Sequence, residues 1–253
     1  ELSLIDCGIS SLKDLPLQSH LLTVNLHSNY IQRLENLSRL SQLCHLDVSS
    51  NQISRIEGLE GLRSLRTLNL SCNMITVVEG LSHLKSLVKI NLSFNQIDDV
   101  SGFKLMSGPE FKLSQIELQG NRIRSAVRLA HSLSQCCNLK SMTLFQDGSS
   151  NPVCHQTGYR SDLLTRLPQL NSLDGRDRNG QVIVQQDIMA DIPGLEGYMD
   201  YLLSTSSCSS VHVRVFCISF QENQIMNVIT PKIDEAMESF KRRCQMSYDT
   251  NTS

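Results

Sequence analysis

Asparagines stand at a fixed interval in this chain. Asn29, Asn51, Asn73 and Asn95 are each separated by 22 residues. The same apolar pattern surrounds them, most clearly in LCHLDVSSNQI (43–53), LRSLRTLNLSCNMI (62–75) and LVKINLSFNQI (87–97). A period of this length means that each unit is one small element unable to bury its own apolar face, so the units must stack. Twenty-two residues before Asn29 stands Cys7, and Leu2, Leu4, Cys7 and Ile9 match Val24, Leu26, Asn29 and Ile31. After Asn95 the next copy, LSQIELQGNRI (113–123), brings Asn121 only after 26 residues, the extra four lying in the Gly-Pro stretch around Met106–Phe111. A further copy, LKSMTLF (139–145), starts in phase, but its asparagine slot is displaced to Asn151.

The pattern L-x-x-L-x-L-x-x-N/C-x-L is that of leucine-rich repeats, and it has physical causes. In L-x-L the side chains alternate, so both leucines face one side of a short strand, and stacking turns that side into a continuous core. The asparagine follows where the chain leaves the strand, and its carboxamide offers both donors and an acceptor to the backbone of neighbouring turns. Losing one such buried partner costs roughly 1–3 kcal/mol. Cys7, Asn29, Asn51, Asn73, Asn95 and Asn121 therefore form a structural ladder, with the small, weakly donating Cys7 at an end position. Only about ten residues link one Asn-x-Ile to the next strand, which leaves room for 3₁₀ or single helical turns but not for a long helix. The expected fold is α/β: a solenoid with short parallel strands on its concave face, short 3₁₀ or helical turns on its convex face, a C-terminal cap and a partly helical tail.

Composition bounds the function. The 253 residues are ample for one solenoid core and a tail. A formal net charge of −2 argues against a nucleic-acid module, which carries a basic stripe. No apolar run approaches the about 18 residues of a membrane span, so no membrane partner is expected. The chain opens with Glu1 and shows no signal peptide, which reads as a fragment lacking its true start. Cys7, Cys44, Cys72, Cys136, Cys137, Cys154, Cys208, Cys217 and Cys244 are scattered, odd in number and without a CxxC pair, as expected of reduced thiols in a cytosolic protein. The sequons at Asn69 and Asn91 lie inside strands and read as unglycosylated.

Residues 1–146 are read as about six repeats and 147–178 as the cap. In the cap, Pro152 stops the strand ladder, Arg160 to Leu167 has amphipathic helical spacing, Pro168 ends that helix, and Leu170 to Leu173 adds a last strand-like turn. Residues 179–203 read as a helical extension, interrupted by Pro193 and Gly194. Residues 204–224 hold a Ser-rich linker and an atypical apolar run, VHVRVFCISF, which fits its surroundings poorly. In 225–253, Thr230 and Pro231 suit a helix start, and the 4-3 spacing of Ile229, Ile233, Ala236 and Phe240 makes an amphipathic helix and a candidate start of a coiled coil. The apolar spacing spans under three heptads, so a homo-oligomer is expected only if a coiled coil follows.

The combination NPxxxxxxYR…LPxLxxLDG over 151–175 resembles the C-terminal cap of the 22-residue leucine-rich repeat family, which includes a phosphatase-1 regulatory protein, the spliceosomal U2 A′ protein and several ciliary and centrosomal proteins. The stretches LDVSSNQISRIEGL (46–59), LNLSCNMITVVEGL (68–81), NQIDDVSG (95–102) and 147–175, with TPKIDEAMESFKRR (230–243), are similar to centrosomal proteins in which such repeats precede a long coiled coil. That resemblance implies a cytoplasmic, centrosomal or centriolar component with roles at spindle poles and in cilium formation, and centrosomal protein partners. A phosphatase 1 regulatory subunit and an RNA-particle protein are the competing expectations, the second disfavoured by the missing basic stripe.

Strand positions between the core leucines define rows across the concave face. One is Asn25, Asp47, Asn69, Asn91, Glu117 and Thr143; the next is Thr23, His45, Thr67, Lys89, Gln115 and Ser141; a third is His27, Ser49, Ser71, Ser93, Gln119 and Phe145. Asn25, His45, Asp47, Asn69, Lys89, Asn91, Glu117 and Phe145 are the candidate protein-binding residues, with Phe145 the aromatic anchor. No catalytic residue is assigned: His27, His45 and Asp47 lie close together but lack a nucleophile with an oriented base. No metal is expected either, since Cys154-His155 has no second ligand pair. No cofactor is expected, because no Gly-rich phosphate loop is present.

Overall fold

The computed structural model describes residues 1–13, 15–146 and 148–183. The expectations for 184–253, including most of the helical extension, the apolar run and the candidate coiled-coil start, lie outside the described residues. Strands β1 (Leu2–Ser3), β2 (Thr23–Asn25), β3 (His45–Asp47), β4 (Thr67–Asn69), β5 (Lys89–Asn91), β6 (Gln115–Glu117) and β7 (Ser141–Thr143) pair in parallel and in sequence order. A short hairpin, β8 (Phe145–Gln146) with β9 (Ser149–Ser150), stands beside them. The sheet then resumes with β10 (Ser172–Leu173), parallel to β7, and ends on β11 (Arg176–Asp177), antiparallel to β10.

Register follows the repeat. Thr23, His45, Thr67, Lys89, Gln115 and Ser141 are successive Cα partners, and so are Asn25, Asp47, Asn69, Asn91, Glu117 and Thr143. Between those rows Val24, Leu46, Leu68, Ile90, Ile116 and Met142 point inward and are buried. The strands are only three residues long because each must turn away after its second core leucine. Isolated pairs of that length are marginal, so the stacked core supplies the stability.

The asparagine ladder converts the repeat into a continuous backbone network. In each turn Oδ1 accepts the N–H of the isoleucine in the turn before: Ile9 to Asn29, Ile31 to Asn51, Ile53 to Asn73, Ile75 to Asn95 and Ile97 to Asn121, all at 2.9–3.0 Å. The amide nitrogen donates backward as well, to Leu4, Leu26, Val48, Leu70 and Leu92 carbonyls at 2.7–3.0 Å. Cys7 sits exposed at the first turn, and its thiol turns back on the Ile5 carbonyl at 3.3 Å while its N–H is taken by Asn29.

Convex connections scale with repeat length. The 22-residue turns close with turns and bends alone. The longer span between β5 and β6 admits a 3₁₀ helix, Ser101–Leu105, whose Phe103 is fully buried. Between β6 and β7 stands α1 (Ala126–Leu133), N-capped by Ser125, whose hydroxyl accepts the Arg128 N–H at 3.3 Å. At eight residues α1 exceeds the single turn expected from the 22-residue units, because its own repeat is four residues longer.

The cap closes the far end with α2 (Tyr159–Arg166), where the sequence predicts a helix over Arg160 to Leu167. Two arginines fasten it. Arg160 donates to the carbonyls of Leu173, Arg176 and Asp177. Arg178 donates to Pro168, Leu170 and Leu164 at 3.1, 2.7 and 2.7 Å. These carbonyls end α2 and the turn after it, where acceptors would otherwise be left without partners.

Candidate functional site

The sheet's outer face carries the candidate binding residues, and most of them spend their polar groups on neighbours within that face. Asp47 Oδ1 accepts both the N–H (2.8 Å) and the hydroxyl (2.5 Å) of Ser49, and its Oδ2 accepts the Asn69 amide at 2.9 Å. Asn69 holds Ser71 in the same way, and Asn91 holds Ser93. Asn25 is buried and accepts the His27 N–H at 3.0 Å. The Asx side chain here repeats a local turn, satisfying donors at the point where each strand ends.

Towards the cap the pattern changes from Asx-Ser to charge. Lys89 Nζ lies 2.9 Å from Glu117 Oε1, with side chains only 14% and 15% exposed. Gln115 also donates to that carboxylate at 3.1 Å. His45 Nδ1 meets Thr67 Oγ1 at 2.8 Å, and burial together with Arg66 depresses its pKa. Phe145 begins the β8–β9 hairpin and is 44% exposed, the only exposed aromatic in these three rows.

Asp174 is the residue that sequence reasoning used only as part of the cap motif. Leu92 and Leu118 donate their N–H to the backbone carbonyls of Glu117 and Thr143 in the following strand. Leu144 donates instead to the side chain of Asp174, at 2.6 Å, and Phe145 joins it at 2.9 Å. The chain turns away at Asp174 in the left-handed region (φ 53°), so its carboxylate stands in for the missing carbonyl of a next strand. Tyr159 donates its hydroxyl to the other oxygen at 2.8 Å, and burial plus this bond push the phenol above its ordinary pKa. The Leu173-Asp174 pair, which echoes Leu46-Asp47, is the signal that could have placed Asp174 at a strand end. Arg178 carried no such signal.

The His27, Ser49 and Asp47 cluster is wired as a turn. Ser49 gives its proton to Asp47, so His27 Nδ1, 2.7 Å away, donates to the hydroxyl rather than taking a proton from it. A nucleophile–base relay needs the reverse order. Asn69–Ser71 and Asn91–Ser93 repeat the Asx geometry without a histidine. Cys154 donates to the Leu144 carbonyl and His155 pairs with Ser150. Among the described residues no group of three or more His, Cys, Asp or Glu is gathered as metal ligands, and no helix is long and apolar enough to cross a membrane.

A family model described as leucine-rich repeats in two copies matches residues 41–76 and 63–105, the stretches that carry β3 to β5 and their asparagines. Over these residues the chain matches the leucine-rich repeat family. The repeats and the relatives named below mark a protein-interaction scaffold rather than an enzyme. A frog (Xenopus laevis) protein named leucine-rich repeat and coiled-coil domain-containing protein 1 is 48% identical over 99% of this chain, which spans 24% of that protein's length. The human protein of the same name is 42% identical over 51% of this chain and 12% of its own. The chain thus spans about a quarter or less of these curated relatives. Among solved structures, internalin C2 of Listeria monocytogenes superposes with a TM-score of 0.53 at 21% identity, covering 75% of each chain, which is a likeness of fold.

Proposed function

We propose that this solenoid is the partner-docking part of a centrosomal or centriolar protein, that it holds its partner on the concave face, and that it serves spindle-pole organisation and cilium assembly. The observation that carries the placement is the match of repeats and cap, over 99% of the chain, to a relative named for leucine-rich repeats joined to a coiled coil. A scaffold of that kind uses one module to bind and another to assemble. The concave rows suit docking: they are polar, pre-organised by their own Asx turns, and end on an exposed aromatic, so a partner meets a surface whose ordering is already complete. The test is imaging of the tagged chain, alone and joined to the coiled-coil region of its frog relative, against a centriole marker, with proximity labelling alongside. Focal signal at the marker is expected from the joined form. A diffuse signal from both would remove the centrosomal reading.

A further inference from the structure

The edge where the strands begin gathers cations that are scattered along the chain. LRSLR (62–66) and LKSLV (84–88) fill the same step of successive turns, with their leucines buried and Arg63, Arg66, Lys85 and Val88 exposed. Backbone bonds carry this edge onward. Val88 donates its N–H to the Arg66 carbonyl, Ser114 to Val88 and Lys140 to Ser114, at 2.8–2.9 Å, and Lys112 donates to Lys85 at 3.1 Å. Lys112 and Lys140 are exposed too. Arg63, Arg66, Lys85, Lys112 and Lys140 thus line four neighbouring turns, a length of about 15 Å at the ordinary spacing of strands. None of them enters an ion pair among the described residues, and Lys85 lies only over the buried Phe111 ring, at 6.0 Å. The carboxylates nearest to them in sequence, Glu60 and Glu110, are exposed and form no ion pair with them. After the asparagine turn, by contrast, Arg33 and Arg55 are each taken by a glutamate of the next repeat, Glu57 and Glu79.

We infer that this edge binds a carboxylate-rich segment of a protein partner. Cations aligned on successive turns repel one another, and an acidic chain laid across them relieves that repulsion. An extended segment of about five residues covers the distance. The two guanidiniums take carboxylates in forked pairs, and the three lysines add point charges. Val88, exposed between Arg66 and Lys140 along the edge, offers an apolar contact that a peptide side chain can use. Nucleic acid is the other polyanion, but a base has no ring to stack on here: the exposed rings among the described residues, Tyr30 and Phe145, stand outside this edge. Composition gives no sign of the stripe, because its members are spread over 63–140 and only the register of the turns brings them together. This is a second surface, beside the concave rows, and the inference does not depend on those rows docking a partner.

The experiment measures, by fluorescence anisotropy at low salt, binding of the full chain to a short labelled polyglutamate peptide and to an RNA oligomer of the same charge. The peptide is expected to bind, and the double variant Arg66→Glu with Lys112→Glu to weaken it at least about tenfold. Arg122→Glu with Arg128→Glu makes the same change of net charge at exposed sites off this edge, and should weaken it by less than about threefold. Arg66→Lys with Lys112→Arg keeps the charges and should keep the binding. All these sites are exposed, so unfolding midpoints should stay near that of the unaltered chain. Should the reversed pair unfold early, Arg66→Gln with Lys112→Gln makes the same comparison without adding negative charge. Failure of the peptide to bind, or equal weakening by the two reversed pairs, would overturn the inference. RNA that binds tighter than the peptide and is lost with Arg66→Glu and Lys112→Glu would overturn it as well, by giving the edge to nucleic acid.

Discussion

Asn151 accepts the Ile123 N–H through Oδ1 at 3.1 Å although 28 residues separate them. Its amide nitrogen donates to Leu118 and Leu144 at 2.8 and 3.0 Å, and the side chain is fully buried. The displaced asparagine thus does for the last turn what Asn29 does for the first. The two differ in surroundings: the groups held by Asn29 are mostly half-buried, and water can replace the lost amide there. Asn151→Ala should therefore cost about 2–4 kcal/mol and Asn29→Ala clearly less. Urea midpoints of the two variants check this, and equal losses would show that burial does not set the ladder's strength.

Gly120 should not accept a side chain. Its φ is +70°, and a Cβ there would stand 2.9 Å from Cδ1 of Phe94, which is itself in the left-handed region at φ 54°. Gly120→Ala should destabilise by about 1–3 kcal/mol, combining the backbone penalty with the contact. Serine occupies the positions equivalent to Phe94 at Ser28 and Ser50 with φ 55° and 53°. Phe94→Ser should consequently recover part of the loss, and a double-mutant cycle by thermal unfolding would read the coupling. Strict additivity would mean that the ring is not the obstacle.

The solenoid was legible because its signals are periodic. A side-chain alternation of two inside a spacing of 22 fixes both which residues face inward and which rows align, and the observed register follows it strand by strand. The displaced Asn151 could be read from its residue type because the ladder needs an amide there. What the pattern does not contain is how outward side chains satisfy one another. Asp47, Asn69 and Asn91 look alike as available polar groups in sequence, yet each is committed to the serine two residues on. Gln119 looked like one more member of its row and is the one left over. Arg178 has no periodic position, and only the fold brings the carbonyls of Leu164, Pro168 and Leu170 within its reach.

Lys89 and Glu117 form the one ion pair on the concave face among the described residues, and both are mostly covered. Removing one partner leaves the other charge poorly solvated. Lys89→Met and Glu117→Gln should each cost about 2–4 kcal/mol, while the double variant costs less than their sum. The pair is covered enough to be screened little by salt, so the loss should persist at high ionic strength, unlike that of the exposed Arg55–Glu79 pair at the same distance. Thermal melts at low and high salt decide between a structural pair and a surface one.

Acidification should weaken the solenoid through its concave histidines. Burial pushes the pKa of His27 below the ordinary 6.5, against the pull of Asp47 and Asp6, and His45 is lowered too. For a base whose folded pKa is depressed, the unfolded chain binds more protons between the two values. The stability these sites contribute is therefore complete above about 6.5 and lost as the pH falls through the unfolded and then the folded pKa. His27→Gln keeps a hydrogen-bonding group near Ser49 and cannot charge, so its stability should fall less steeply from about pH 7 to about pH 5 than that of the unaltered chain. Urea midpoints across that range measure the difference. Parallel curves for the two proteins would show that His27 titrates no differently folded than unfolded.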